Sequence, residues 1–260
     1  QIPGVTYMKI FTYDNDFESL ASCIYTAWEY SLAHKNEQIS LQKYSDIQQN
    51  IFSEFIYVET DTDKAKKVIE SIKKKLSMQC YYTVYMSFLH CEDSSNDIYN
   101  YLRLAFKHGK NIKYMLSKEI VMKLMGLQRA VTNELNSYIE IARFEEVSDN
   151  VFVSKIEPKH NILLGLADHF KNRMPSINWM IIDCARSMAL IHPKDKECYI
   201  QKLYPDELEK LSATHDIRSP YKKLWKSFFE SISVKERENL KLQRQHCPIR
   251  KRKYMTEFTE

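Results

Sequence analysis

The stretch VFVSKIEPKHNILLGLADHFKNRMPSINWMIID, residues 151–183, decides the fold. Its first part, Val151 to Ile156, alternates apolar and polar side chains with the period of two that is typical of a half-buried strand. Pro158 suits the first turn of a helix, and the pattern predicts a helix from there to about Arg173. Ile177 to Asp183 then has the composition of a second strand. The stretch therefore predicts a strand-helix-strand block.

Two further predicted strands flank this block. Arg143 to Val147 alternates in the same way, and Ser148-Asp149-Asn150 is typical of the hairpin turn that would join it to Val151. Arg186 to Ile191 has the pattern of a fourth strand. The order strand, strand, helix, strand, strand predicts an antiparallel sheet with one helix packed on a face, covering residues 142–203.

The preceding region, residues 8–141, is predicted to be mainly helical with one N-terminal strand. Met8 to Tyr13 alternates as a strand, and Asp14-Asn15-Asp16 supplies a turn and a cap for a helix that reaches about Ala33. The polar stretch Lys35 to Gln49 is expected to form a loop with a short helical piece. These patterns place the only strand of this region at its start.

The final region, residues 204–260, is predicted to contain helices and a basic tail, with one helix beginning at Ser219-Pro220. Residues 1–7 are left outside the fold because the first clear strand begins at Met8. The expected fold class is α+β, with the regions 8–141, 142–203 and 204–260 packed into one compact unit.

Composition excludes several classes of site. The four glycines stand too far apart for a dinucleotide-binding or P-loop fingerprint, which argues against a nucleotide cofactor held by such a loop. The six cysteines form no C-x-x-C pair and no zinc-finger or iron-sulfur spacing, so neither a metal nor a disulfide framework is expected. These missing fingerprints lead us to expect no cofactor. No apolar run approaches the length of a membrane span and no signal peptide is recognisable, which predicts a cytoplasmic protein with no membrane partner.

Positive charge is concentrated near the C-terminus. Lys235 to Lys253 contains eight basic and two acidic residues, whereas the whole chain has a net charge of only +4. Such a cluster can neutralise phosphates and release counterions, and this predicts salt-sensitive binding of nucleic acid. The residues expected to make these contacts are Arg244, Arg250, Lys251, Arg252 and Lys253. The alternative is a solvated helix with a flexible basic end.

A second candidate site lies at the strand-helix junction Glu157 to Asn161. His160 is a candidate acid or base, with Asp183 or Glu157 as its partner. His169 is nine residues further along the predicted helix, on the opposite face, so the two histidines are poor candidates for one metal site. A hydrogen-bonding role for each histidine and a turn role for the aspartate are the alternatives. Four residues are candidates for contact with an anion or a partner: Asn161, His169, Arg173 and Arg186.

Three stretches together resemble a family of probable DNA metabolism proteins whose biochemical activity is unknown. They are Tyr101-Leu-Arg-Leu-Ala-Phe106, then Arg143-Phe-Glu with Glu157-Pro-Lys-His160-Asn161, His169-Phe170 and Ile182-Asp183, and finally Leu242-Gln-Arg-Gln245 with Pro248-Ile-Arg250 and Tyr254-Met-Thr-Glu257. The resemblance runs from Met8 to Glu257. It departs from the family pattern at Cys247, where methionine is usual, and at Lys251 and Arg252, where an aromatic pair is common.

The resemblance implies a role in DNA modification or repair. Members of that family are the usual partners of a radical-SAM putative DNA modification or repair protein, and some are joined to a uracil-DNA glycosylase domain. The leading hypothesis is therefore an accessory protein that binds nucleic acid, a radical-SAM partner, or both, in which deletion of Lys235 to Glu260 abolishes DNA binding. An enzyme acting on DNA or a nucleotide through His160, and a protein-interaction scaffold, are the alternatives.

Overall fold

A computed structural model describes residues 8–34, 37–47, 53–148, 150–206, 224–225, 227–228, 231–232 and 239–258, without the side chain of residue 148. The chain divides into two compact units, Gln1–Thr132 and Asn133–Glu260. Each unit has its own sheet. The α+β class predicted from the sequence is confirmed.

The sheet of the first unit is small and parallel. Its strands are β1 (Met8–Tyr13), β2 (Ile39–Lys43) and β3 (Ser53–Tyr57), in the order β2-β1-β3. Helix α1 (Phe17–Ala33) begins where the sequence predicted, because the Asp16 side chain accepts the backbone N–H of Ser19 at 2.8 Å. The loop predicted for the stretch 35–49 is wrong in part, because β2 lies within it.

The prediction of a single strand in this region is wrong, because β2 and β3 both pair with β1. β2 buries only one residue well, Leu41, and is otherwise polar or half-exposed, so its sequence lacks the apolar alternation of a strand. Its pairing with β1 holds it in the sheet through backbone hydrogen bonds, which any sequence can make.

Helices make up most of the rest of the first unit. They are α2 (Thr62–Ser71), a π-helical turn (Ile72–Leu76), α3 (Met78–Phe88), α4 (Ser95–His108), a 3-10 turn (Gly109–Tyr114) and α5 (Glu119–Ile141), which contains the boundary between the units. Ser77 caps the start of α3, since its hydroxyl accepts the N–H of Cys80 at 3.0 Å.

The sheet of the second unit has five strands in the order β4-β5-β6-β7-β8. They are β4 (Phe144–Ser148), β5 (Val151–Ile156), β6 (Asn178–Asp183), β7 (Met188–His192) and β8 (Tyr199–Lys202). Three of the four pairings are antiparallel, as the sequence predicted, but β5 and β6 pair in parallel. The connection between them crosses over the sheet and includes a helix, which is the usual way to join two parallel strands.

The helix in this crossover is shorter than predicted. A helix starting at Pro158 is wrong, because a 3-10 turn occupies Leu164–Leu166 and helix α6 covers only Ala167–Arg173. The segment before the 3-10 turn, residues 157–163, is neither α-helical nor 3-10 helical. Its backbone groups are bonded instead to side chains from α5 and from the end of β6, as described below.

Aromatic packing supports this sheet. Trp179 of β6 is fully buried and makes edge contacts with the rings of Phe144 and Phe170, and it stacks on His192 at 4.9 Å between ring centroids. The C-terminal part of the unit contains helix α7 (Leu240–His246) and two 3-10 turns, Ile249–Tyr254 and Thr256–Phe258.

The helix predicted to start at Ser219-Pro220 has its beginning outside the described residues. Within the described part of the chain, no helix has the length and apolar character needed to cross a membrane.

Candidate nucleic-acid interface

A buried carboxylate on α5 holds the junction that follows β5. Glu134 is 5% exposed, and its two oxygens accept the backbone N–H groups of Lys159 at 3.1 Å and His160 at 2.7 Å. The guanidinium of Arg250 also donates to it, at 3.3 Å. These three donors satisfy the buried charge, since hydrogen bonds and a cation offset the loss of hydration.

The end of β6 holds the same junction from another direction. Asp183 is fully buried and accepts the N–H groups of Ala185 and Arg186, together with the Arg186 guanidinium at 2.8 Å. Arg186 also donates to the carbonyls of Pro158 at 3.1 Å and Lys159 at 2.6 Å. Burial raises the pKa of Asp183, and the bonds from Arg186 oppose this rise. Glu134 and Arg186 together explain why residues 157–163 are not helical.

The predicted acid-base residues occupy this junction, and each carboxylate has a cationic neighbour. Asp183 pairs with Arg186, and Glu157 accepts Lys253 Nζ at 2.6 Å. His160 is buried, at 5% exposure, with its backbone N–H bound to Glu134. These contacts describe a structural use of all three residues, and their catalytic use stays a prediction.

The residues predicted to contact an anion or a partner do not form one group. The Arg186 side chain is hydrogen-bonded to carbonyls of the junction, and Asn161 is an exposed residue of the same junction. His169 packs edge-on against Phe170, and its Nε2 is buried without a hydrogen-bond partner among the described residues. Arg173 is exposed at the end of α6 and lines a separate cleft.

The basic C-terminal stretch is folded onto this junction. We call residues Ile249–Tyr254 the docked basic segment. Arg250 pairs with Glu134, Lys251 Nζ donates to the hydroxyl of Ser137 at 2.7 Å, and Lys253 pairs with Glu157. Arg252 donates to the carbonyl of Cys247 at 3.0 Å, and its guanidinium lies over the ring of Phe258. Arg244 is exposed on α7.

The docked basic segment keeps a surplus of positive charge. Arg250 and Lys253 are each 57% exposed at the side chain although each has a carboxylate partner. Lys251, Arg250 and Lys155 line one small depression with Tyr138 and Tyr254. Loss of hydration lowers the pKa of both Lys155 and Lys251, which means that nearby anions do not fully compensate their charge. An added anion would stabilise these cations.

A larger cleft, which no sequence pattern predicted, lies in the same unit. It has a volume of about 1090 Å³ and is lined by Arg143, Arg173 and several aromatic side chains, among them Phe144, Phe170, Trp225 and Phe228. Arg143 donates to both oxygens of Glu257, at 2.6 and 3.4 Å, and its guanidinium lies over the Trp225 ring. Glu140, Glu145 and Glu146 also line the cleft, so its charge is mixed.

Sequence reasoning missed Glu134 and Arg143 as organising residues of the second unit. Both are single charged residues in otherwise ordinary patterns, and their partners, Arg250 and Glu257, lie more than a hundred positions away in the chain. The stretch Arg143-Phe-Glu contributed to the resemblance, but no site role was assigned to it. Contacts over such sequence distances leave no local pattern.

Comparison with known proteins gives a family. The model of a domain of unknown function, DUF4130, matches residues 92–257. No curated protein matches the chain. The match covers more than half of the chain and includes the junction, the docked basic segment and the cleft, so the protein belongs to the DUF4130 family.

Proposed function

We propose that this protein is an accessory protein of DNA metabolism that binds nucleic acid, with the docked basic segment as its contact to phosphates. The observation that carries the proposal is the anchoring of four consecutive cations, Arg250 to Lys253, on a folded surface. The resemblance to DNA modification and repair proteins supports DNA as the nucleic acid.

Anchoring matters because it reduces the entropy lost on binding. A free lysine or arginine side chain gives up rotamer freedom when it pairs with a phosphate, whereas side chains already held by Ser137, Cys247 and Glu157 have given up part of it on folding. The segment is therefore a preorganised phosphate contact.

A specific observation supports a second role, contact with a protein partner. Four apolar side chains between residues 224 and 232 are exposed: Leu224 by 64%, Trp225 by 40%, Phe228 by 52% and Ile232 by 57%. Exposed aromatic and aliphatic side chains grouped in this way mark interaction surfaces. By resemblance, the partner proposed for them is the radical-SAM protein.

The enzyme hypothesis receives less support. A catalytic carboxylate needs an oxygen that can reach the proton it transfers, yet Asp183 is fully buried against Arg186 and Glu157 is paired with Lys253. Catalysis by His160 with either carboxylate would require these pairs to separate.

The proposal is tested by substitutions that remove positive charge from this surface and leave the fold intact. Deletion of Lys235 to Glu260 is unsuitable, because it removes Met255 and Thr256, which are buried, and Glu257, which binds Arg143. The test variant combines Lys251→Gln and Lys253→Gln of the docked basic segment with Arg244→Gln of α7, and we call it the variant of the docked basic segment. Glutamine removes each charge and retains hydrogen-bonding capacity. The matched control carries Lys194→Gln, Lys196→Gln and Lys202→Gln, three exposed lysines of the same unit.

The measurement is fluorescence anisotropy with labelled single-stranded and duplex DNA. We expect the test variant to bind at least about tenfold more weakly than the unmodified protein at moderate salt, since each lost phosphate contact removes a counterion-release contribution. The control should bind within about twofold of the unmodified protein. Equal losses in both variants, or no loss in either, would refute the docked basic segment as the contact.

A further inference from the structure

The first unit has a basic face of its own, which the C-terminal charge count does not include. Residues 62–76 contain six lysines and only two acidic residues, so this short stretch has the same net charge of +4 as the whole chain. We call it the lysine face; its lysines are Lys64, Lys66, Lys67, Lys73, Lys74 and Lys75. All of them are exposed except Lys64, which is half-buried.

The backbone directs three of these lysines outward. The N–H of Ser77 donates to the carbonyl of Ile72 at 3.1 Å, the spacing of a π-helical turn. Ile72 and Leu76 are each 1% exposed and fix the two ends of the turn, whereas Lys73, Lys74 and Lys75 between them are exposed. Three consecutive lysines therefore lie on the exposed side of this turn.

Neighbouring groups hold the lysines without neutralising them. Lys73 lies over the ring of Tyr81 at 4.2 Å, and both Lys64 and Lys67 lie over the ring of Tyr25. A cation over an aromatic ring is oriented by the ring and keeps its full charge. The only ion pair within the lysine face that the structure describes joins Lys74 to Glu70, and both side chains are mostly exposed, so water and salt screen it.

We propose that the lysine face is a second contact surface for the phosphate backbone of nucleic acid. The inference rests on the proposed function and extends it to the first unit. The lysine face lies outside residues 92–257, the part matched by the family model, so it belongs to a region that the family match does not cover.

The chemistry of the surface favours nucleic acid over an anionic membrane. Lysines alone give weak attachment to lipid, and stable attachment also requires apolar side chains that enter the bilayer. Among residues 62–76, every fully exposed side chain is polar or charged, and Glu70 stands among the lysines. Phosphates spaced along a backbone need only the cations.

The experiment uses the full chain with Lys66→Gln, Lys73→Gln and Lys75→Gln combined. Its control replaces three exposed lysines of the same unit, Lys107, Lys110 and Lys118, by glutamine. Affinity for a long DNA duplex is measured over a series of salt concentrations, together with the variant of the docked basic segment described above.

We expect the lysine-face variant to bind DNA at least about fivefold more weakly than the unmodified protein. The slope of its log affinity against log salt should become shallower by about 2 to 3, because each phosphate contact contributes about 0.9 to that slope. The control should keep the slope of the unmodified protein. A variant that combines both sets of substitutions should bind more weakly than either variant alone, because each set removes phosphate contacts from the same chain.

Three results would overturn the inference in distinguishable ways. An unchanged slope in the lysine-face variant, with a reduced slope in the variant of the docked basic segment, refutes the lysine face and leaves the proposed function standing. No DNA binding by the unmodified protein refutes both. Flotation of the unmodified protein, but not of the lysine-face variant, with vesicles of phosphatidylserine and phosphatidylcholine would assign the surface to membranes instead.

Discussion

At the scale of single residues, Arg143 and Glu257 show how the C-terminal end is tied to the second unit. The Glu257 side chain is 3% exposed and accepts two hydrogen bonds from Arg143 and one from Trp225 Nε1. Burial alone would raise the pKa of Glu257, but the hydrogen bonds and charge of Arg143 outweigh it and lower the pKa below its ordinary value of 4.5. The ion pair therefore stabilises the folded state most when Glu257 is ionised.

This pKa shift predicts the direction of acid destabilisation. Since the folded state binds the Glu257 proton less tightly than the unfolded state, the stabilisation is complete above pH 4.5 and is lost as the pH falls through the lower folded pKa. Glu257→Gln should lower the melting temperature at neutral pH and make it less dependent on pH below 4.5.

Thermal unfolding followed by circular dichroism at a series of pH values measures this effect. Glu140→Gln, at an exposed position of α5, is the control and should leave the pH profile unchanged. A Glu257→Gln variant with the same acid sensitivity as the unmodified protein would contradict the assignment of the ion pair.

At the scale of elements, the crossover from β5 to β6 is shaped by side chains outside it. Glu134 of α5 accepts its N–H groups, and Arg186 after β6 binds its carbonyls. Arg250 then docks on Glu134. The buried carboxylate thus links a helix, a loop and the docked basic segment.

Glu134→Ala should destabilise the second unit by about 2 to 4 kcal/mol, because it leaves two buried N–H groups and a cation without their acceptor. Glu134→Gln keeps one oxygen acceptor and should cost less. Glu140→Ala, one to two turns along the same helix and exposed, should change the free energy of unfolding by no more than about 0.5 kcal/mol.

Denaturant unfolding followed by the fluorescence of tryptophan, with Trp179 buried in the sheet of this unit, measures these differences. Equal effects of Glu134→Ala and Glu140→Ala would show that the junction does not depend on the buried carboxylate.

The same elements show what a sequence can predict. β1, α1 and β5 follow from local periodicity and capping, and their observed bounds agree with the prediction. The irregular segment 157–163 depends on contacts from Glu134 and Arg186, which lie outside it. The parallel pairing of β5 with β6 is a long-range arrangement, which local periodicity does not reveal. The sequence likewise indicates that Glu157 and His160 follow a strand, but it does not indicate which side chains bind them.

At the scale of the whole molecule, positive charge is gathered into two stretches, one in each compact unit, while the chain as a whole has a net charge of only +4. The docked basic segment lies in the second unit and the lysine face in the first. Charge concentrated in this way gives salt-dependent affinity for a polyanion without a high total charge.

The most direct test of the central claim, that the docked basic segment binds phosphates, is the salt dependence of DNA affinity of the unmodified protein. With at least the four cations Arg250 to Lys253 in contact, log affinity should fall with log salt with a slope of about −3 to −4 or steeper, since each phosphate contributes about 0.9. Affinity that does not change with salt, or no binding at low salt, would contradict the claim.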